Sequence, residues 1–145
     1  MLYLLAGLAD LILALLHVLV AVLGGEAYIF LRAGKVMAAA DVAGEIWPAL
    51  LTLVIATIFL AWSLICFWTA FKDKYGRALR VLVALIGGVF VLRGSALFFE
   101  FFELTLFSDG ESPVFRDFAF SALALVIGAL HLYAVVRNQR MIASS

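Results

Sequence analysis

Four long apolar runs are separated by short polar stretches. The first reads LYLLAGLADLILALLHVLVAVL, about residues 2–23, and Gly24-Gly25 closes it. The second opens at Trp47-Pro48, where proline suits a first helical turn, and runs to about residue 71. The third covers about residues 81–102. The fourth opens at Ser112-Pro113, becomes membrane-like near residue 117 and ends near 136. Each run holds roughly the 20 residues that a helix needs to cross a ~30 Å hydrocarbon core. Continuous rather than alternating apolarity predicts helices, not the strands of a β-barrel. The expected fold is therefore all-α: one membrane domain over residues 1–145, an antiparallel bundle of four transmembrane helices.

The connections differ in character. Residues 72–80 (KDKYGRALR) predict a tight basic hairpin, and residues 103–117 an acidic loop with the turn signal Asp109-Gly110. Residues 24–46 (GGEAYIFLRAGKVMAAADVAGEI) are too apolar at Tyr28 to Leu31 for a plain loop, and residues 33–43 are rich in helix-forming alanine. This segment predicts an interfacial helix or lid against the membrane surface.

Composition fixes the class. Hydrophobic residues make up 67% of the chain and charged residues 14%, whereas a soluble domain is nearer one half and one quarter. The formal net charge of zero gives no reason to expect a nucleic-acid partner. Cys66 is the single cysteine, which excludes an intrachain disulfide and a cysteine metal cluster. Residues 1–23 lack a basic leader and a small-residue cleavage site, so they read as a retained span rather than a signal peptide. Lys72, Lys74, Arg77, Arg80, Arg137 and Arg140 fall on one side of the spans, and Arg32, Lys35 and Arg116 on the other. That bias predicts that both termini are cytoplasmic.

Ionisable groups inside the runs carry the functional expectation, because a charge in hydrocarbon costs several kcal/mol. Tyr3, Gly7, Asp10, Ala14, His17, Ala21 and Gly24 recur at helical spacing, so Asp10 and His17 share a face turned to the protein. Arg93 and Glu100 share a face of the third span, and Arg93 is expected to pair with Asp10. Asp117, Ser121, Ala124, Gly128 and His131 form a stripe on the fourth. Asp10, His17, Arg93, Glu100 and His131 are thus the candidate ligand- or ion-binding residues. Glu26, Tyr28, Arg32, Lys35 and Glu103 are candidates for its outer mouth, where basic residues near glycine suit a lipid phosphate. The structural alternative for each is a polar packing seam or a solvated flank.

A haem between His17 and His131 is disfavoured, because their expected depths differ by roughly 12 Å at 1.5 Å per residue. No catalytic residue, metal or cofactor is assigned. The aromatic run FFEFFE at residues 98–103 reads as an interfacial belt or as the wall of a lipid-sized cavity. Gly87, Gly88, Gly94 and Ser95 supply the small surfaces through which membrane helices associate, and a homo-oligomer is expected.

His17, Gly24-Gly25, Tyr28-x-Phe30-x-Arg32-Ala33-Gly34-x-x-Met37-Ala38, Trp47-Pro48-Ala49-x-x-Thr52 and Leu92-Arg93-Gly94 together resemble uncharacterised small four-helix bacterial inner-membrane proteins. The resemblance covers most of the chain. It implies a bacterial inner membrane and emphasises His17, the 24–38 segment and Arg93, and it transfers no activity. The basic KDKYGR hairpin departs from the apolar, glycine-rich turn of those proteins. Three function classes follow. The first is a protein that binds or transports a small molecule, lipid or ion through a polar intramembrane site. The second is a structural or accessory subunit of a membrane complex. The third, less favoured, is a small membrane enzyme acting on a lipophilic substrate with His17 as acid/base.

Overall fold

The computed structural model describes residues 1–31, 33–71, 76–106 and 113–143. Among these described residues seven helices form in chain order: α1 (Leu2–Leu23), α2 (Gly25–Phe30), α3 (Lys35–Val42), α4 (Trp47–Phe71), α5 (Gly76–Gly94), α6 (Ala96–Leu106) and α7 (Pro113–Ala143). No strand occurs among the described residues. Among the described residues four helical stretches are long and apolar enough to cross a membrane: Leu2–Leu23, Trp47–Phe71, Arg77–Phe101 and Phe115–Asn138. The all-α, four-span reading holds, and this is a membrane protein.

Three boundaries differ from the expected ones for physical reasons. The third span breaks at Ser95, whose hydroxyl donates to the carbonyl of Leu92 at 2.7 Å. Such a back-bond competes with the helical ladder and bends it. The amide of Phe98 then reaches Ser95 O at 3.2 Å, an i to i+3 bond that restarts the helix as α6. At the basic hairpin α5 begins at Gly76, five residues before the apolar run. Likewise α7, which starts at Pro113 as expected, continues past residue 136 through polar residues to 143. Backbone hydrogen bonding has no reason to stop where apolarity stops. The segment between the first two long spans is two short helices, α2 and α3, rather than one.

The described chain divides into two compact units: Met1–Ala6 with Ile65–Ser145, and Gly7–Leu64. In the first, one end of the core gathers residues of four helices. Tyr3 and Ala6 of α1, Cys66 of α4, Val83 of α5, and Ala134 and Val135 of α7 pack together. The rest of that unit is organised by the antiparallel α5–α7 pair. A Cβ added at Gly94 would lie 2.7 Å from the backbone nitrogen of Leu125, and one added at Gly128 would lie 2.9 Å from Gly87 O and from Val91 N. At Gly87 the added carbon would meet His131 Cβ at 3.0 Å. The two backbones therefore approach as closely as glycine allows. Gly87 and Gly94 thus serve contacts within the chain, while Gly88 has nothing within 4 Å.

The second unit is held by different contacts. Ser63 of α4 donates to Gly7 O of α1 at 2.7 Å, and the rings of His17 and Phe59 lie 5.0 Å apart. Tyr28 of α2 is fully buried against Val20 of α1 and Ala38 of α3.

A hydroxyl-bridged arginine and glutamate

The α5–α7 contact delivers one serine to a specific place. Gly94 draws the turn around Leu125 against α5, and Ser121 lies one turn earlier on the same face of α7. Arg93 and Glu100 lie seven residues apart across the Ser95 break, about 10.5 Å in a straight helix. Ser121, fully buried, fills the interval. Arg93 Nη1 donates to Ser121 Oγ at 3.0 Å, and Ser121 Oγ donates to Glu100 Oε1 at 2.8 Å.

The direction of this chain is fixed by chemistry. A guanidinium only donates, so the serine oxygen must accept from it, and the single hydroxyl proton is directed to the glutamate. Serial hydrogen bonds polarise one another in a low-dielectric setting, so a change at either end is felt at the other. The other carboxylate oxygen, Glu100 Oε2, is buried and has no hydrogen-bond partner among the described residues. The two charged ends differ in exposure: Arg93 is exposed, whereas Glu100 is half-buried. Nearby, the rings of Phe101 and Phe118 lie 6.5 Å apart.

The remaining candidates separate into distinct settings. Asp10 belongs to the second unit and is fully buried, as its helical stripe predicts. Arg93 bonds Ser121 of α7. The imidazole of His17 is half-buried, and its Nδ1 lies 2.8 Å from Leu13 O. A carbonyl cannot donate, so Nδ1 carries the proton, and in the neutral ring Nε2 is the acceptor. His131 makes the same bond from Nδ1 to Ile127 O at 2.8 Å. It is fully buried against Phe90 at 5.5 Å between rings. One of its ring nitrogens and Cys66 Sγ lie within 4.8 Å of each other, a juxtaposition that residues 65 positions apart do not announce.

Among the outer-mouth candidates, Glu26 and Lys35 are exposed, on α2 and at the start of α3. Tyr28 is instead a core residue, and its hydroxyl has no hydrogen-bond partner among the described residues. Arg32 and the side chain of Glu103 lie outside the described residues. In the same segment Asp41 of α3 accepts from the Gly25 amide at 2.8 Å, which ties the start of α2 to α3. Gly24 makes this possible: its φ is +73°, and a Cβ there would collide with the Asp41 carboxylate.

Sequence reasoning did not find two of these groups. Ser121 was visible as a member of the α7 stripe, but its part as a bridge depends on the Gly94–Leu125 approach. The Asp41–Gly25 bond spans sixteen residues through a reversal whose geometry two glycines set. No protein-family model, curated protein or solved structure matches the chain.

Proposed function

We propose that this is a multi-pass inner-membrane protein, with both termini cytoplasmic, that binds or transports a small molecule, lipid or ion. Its polar intramembrane site is centred on Arg93, Ser121 and Glu100. The observation that carries this reading is Glu100 Oε2, a buried carboxylate oxygen with no hydrogen-bond partner among the described residues, on a membrane-length helical stretch. Burying a charged acceptor without a partner is costly, and an occupant that brings a donor removes the cost. The chemistry that fits is a proton, a cation, or a ligand carrying an N–H or O–H group. Ser121 would transmit the occupancy of Glu100 to Arg93. Asp10, His17 and His131 are further ligand-binding candidates, each in its own setting. The orientation rests on the six basic residues gathered on one side of the spans.

The test compares wild type with Glu100→Gln in lipid nanodiscs, using unbiased mass spectrometry of co-purifying small molecules and ion flux in liposomes. A bound species or a flux that falls at least tenfold in the variant, at an unchanged thermal midpoint, is the expected result. Wild-type protein with neither ligand nor flux would sink the proposal.

A second reading, an accessory subunit or homo-oligomer, draws on the open face of α5. Gly88 has nothing within 4 Å, and Leu85, Val89, Leu92 and Arg93 around it are exposed. Cross-linking from a cysteine at position 88, with loss of a larger complex in Gly88→Leu, supports this alternative.

A further inference from the structure

The opposite end of α5 carries a second concentration of charge. Arg77 and Arg80 occupy its beginning, where no acidic residue stands. A helix N-terminus carries positive partial charge from its amides and favours anions. Two guanidinium groups placed there add to the unfavourable sign. Both arginines line one notch of about 320 Å³, together with Val81, Ala84 and Val135 of α7.

The depth of the notch is informative. Arg77 is the first residue of the apolar span Arg77–Phe101, the end at which a span of this length would meet the headgroups. Ala84 lies one turn deeper than Arg80, and Val135 closes the apolar side from α7. Cations at the rim above an apolar wall match the polarity profile of a phospholipid. Arginine, with its planar donor fork, is suited to grip phosphate oxygens in pairs. Basic recesses between membrane helices bind anionic headgroups by this means. Arg137, by contrast, lines a separate pocket of about 340 Å³ among Tyr3, Thr69 and Asn138, side chains that offer hydrogen bonds of their own.

We propose that the Arg77–Arg80 notch binds the phosphate headgroup of an anionic membrane phospholipid, with an acyl chain lying along Val81, Ala84 and Val135. This site is independent of the Arg93–Ser121–Glu100 reading.

The experiment reconstitutes the protein in phosphatidylcholine nanodiscs with a minor share of phosphatidylglycerol and counts retained lipids by native mass spectrometry. Wild type should retain the anionic lipid preferentially. Arg77→Gln/Arg80→Gln should lower that retention at least tenfold, while Arg137→Gln should stay within twofold of wild type. Unchanged retention in the double variant overturns the site, and equal loss in Arg137→Gln overturns it in favour of diffuse charge. Complete displacement by millimolar glycerol phosphate or inorganic phosphate overturns the lipid and identifies a free-anion site. If the glutamine variant does not fold, Arg77→Lys/Arg80→Lys keeps both charges and loses the paired donors. Several-fold weaker retention is then expected, and full retention overturns the proposal.

Discussion

Two carboxylates in this protein meet their hydrogen-bond needs in opposite ways. Asp41 is bonded to the backbone amide of Gly25, beside a glycine whose φ of +73° leaves no room for a side chain. Glu100 is bonded to the hydroxyl of Ser121, which Arg93 in turn donates to. The first partner belongs to the main chain and cannot leave without unmaking the α2–α3 turn. The second is a rotatable side-chain proton, and the other oxygen of Glu100 has no hydrogen-bond partner among the described residues. A backbone-held carboxylate is structural, whereas a side-chain-held one is available for exchange.

The contrast is sharpest where it is broken from below. Gly94→Val should be the most damaging change, since its Cβ meets Leu125 N at 2.7 Å and α5 can no longer seat on α7. Overpacking of this kind costs about 3 kcal/mol, and the Arg93–Ser121–Glu100 chain should be lost with it. Thermal unfolding in detergent reads the loss, with Gly88→Ala, open on all sides, as the unaffected control. Asp41→Ala comes next. Removing a charged acceptor from the Gly25 amide should cost about 2 kcal/mol. Hydrogen exchange should show the loosening confined to residues 24–43, with ligand retention intact.

Ser121→Ala should cost less, about 1 kcal/mol, in keeping with measured hydrogen bonds between membrane helices. It should abolish any coupling between Arg93 and Glu100, so that Arg93→Gln adds to Glu100→Gln in the alanine background but not in wild type. Additivity in both backgrounds would show that the serine bridges nothing. Glu100→Gln should perturb stability least, because an amide oxygen still accepts from Ser121, while ligand or ion handling falls at least tenfold. If Asp41→Ala and Glu100→Gln instead lower stability and ligand handling alike, the two carboxylates do not differ in kind.

The fold was legible where one physical cause dominates. Length and apolarity place α1 and α4 within a residue of their observed ends, because crossing hydrocarbon demands both. The stripe containing Asp10 was legible for the same reason: one helical face must be shielded, and Asp10 is fully buried. The break at Ser95 was not, because a serine back-bond in an otherwise apolar helix looks like any other serine. Nor was the Arg93–Ser121 bond, which depends on where Gly94 and Gly128 allow two backbones to meet. Tyr28 shows the converse. It was a candidate for the outer mouth, and Val20 and Ala38 enclose it, because two short helices need one large side chain to pack upon.

The glycines shared by α5 and α7 also limit how these helices move. Gly87 and Gly94 are seven residues apart, two full turns, and each accommodates a particular part of α7. Sliding by a single turn would drive Val91, or the side chains of Leu125 and Leu132, into backbone. Translation along the contact is therefore blocked sterically at Gly87, Gly94 and Gly128.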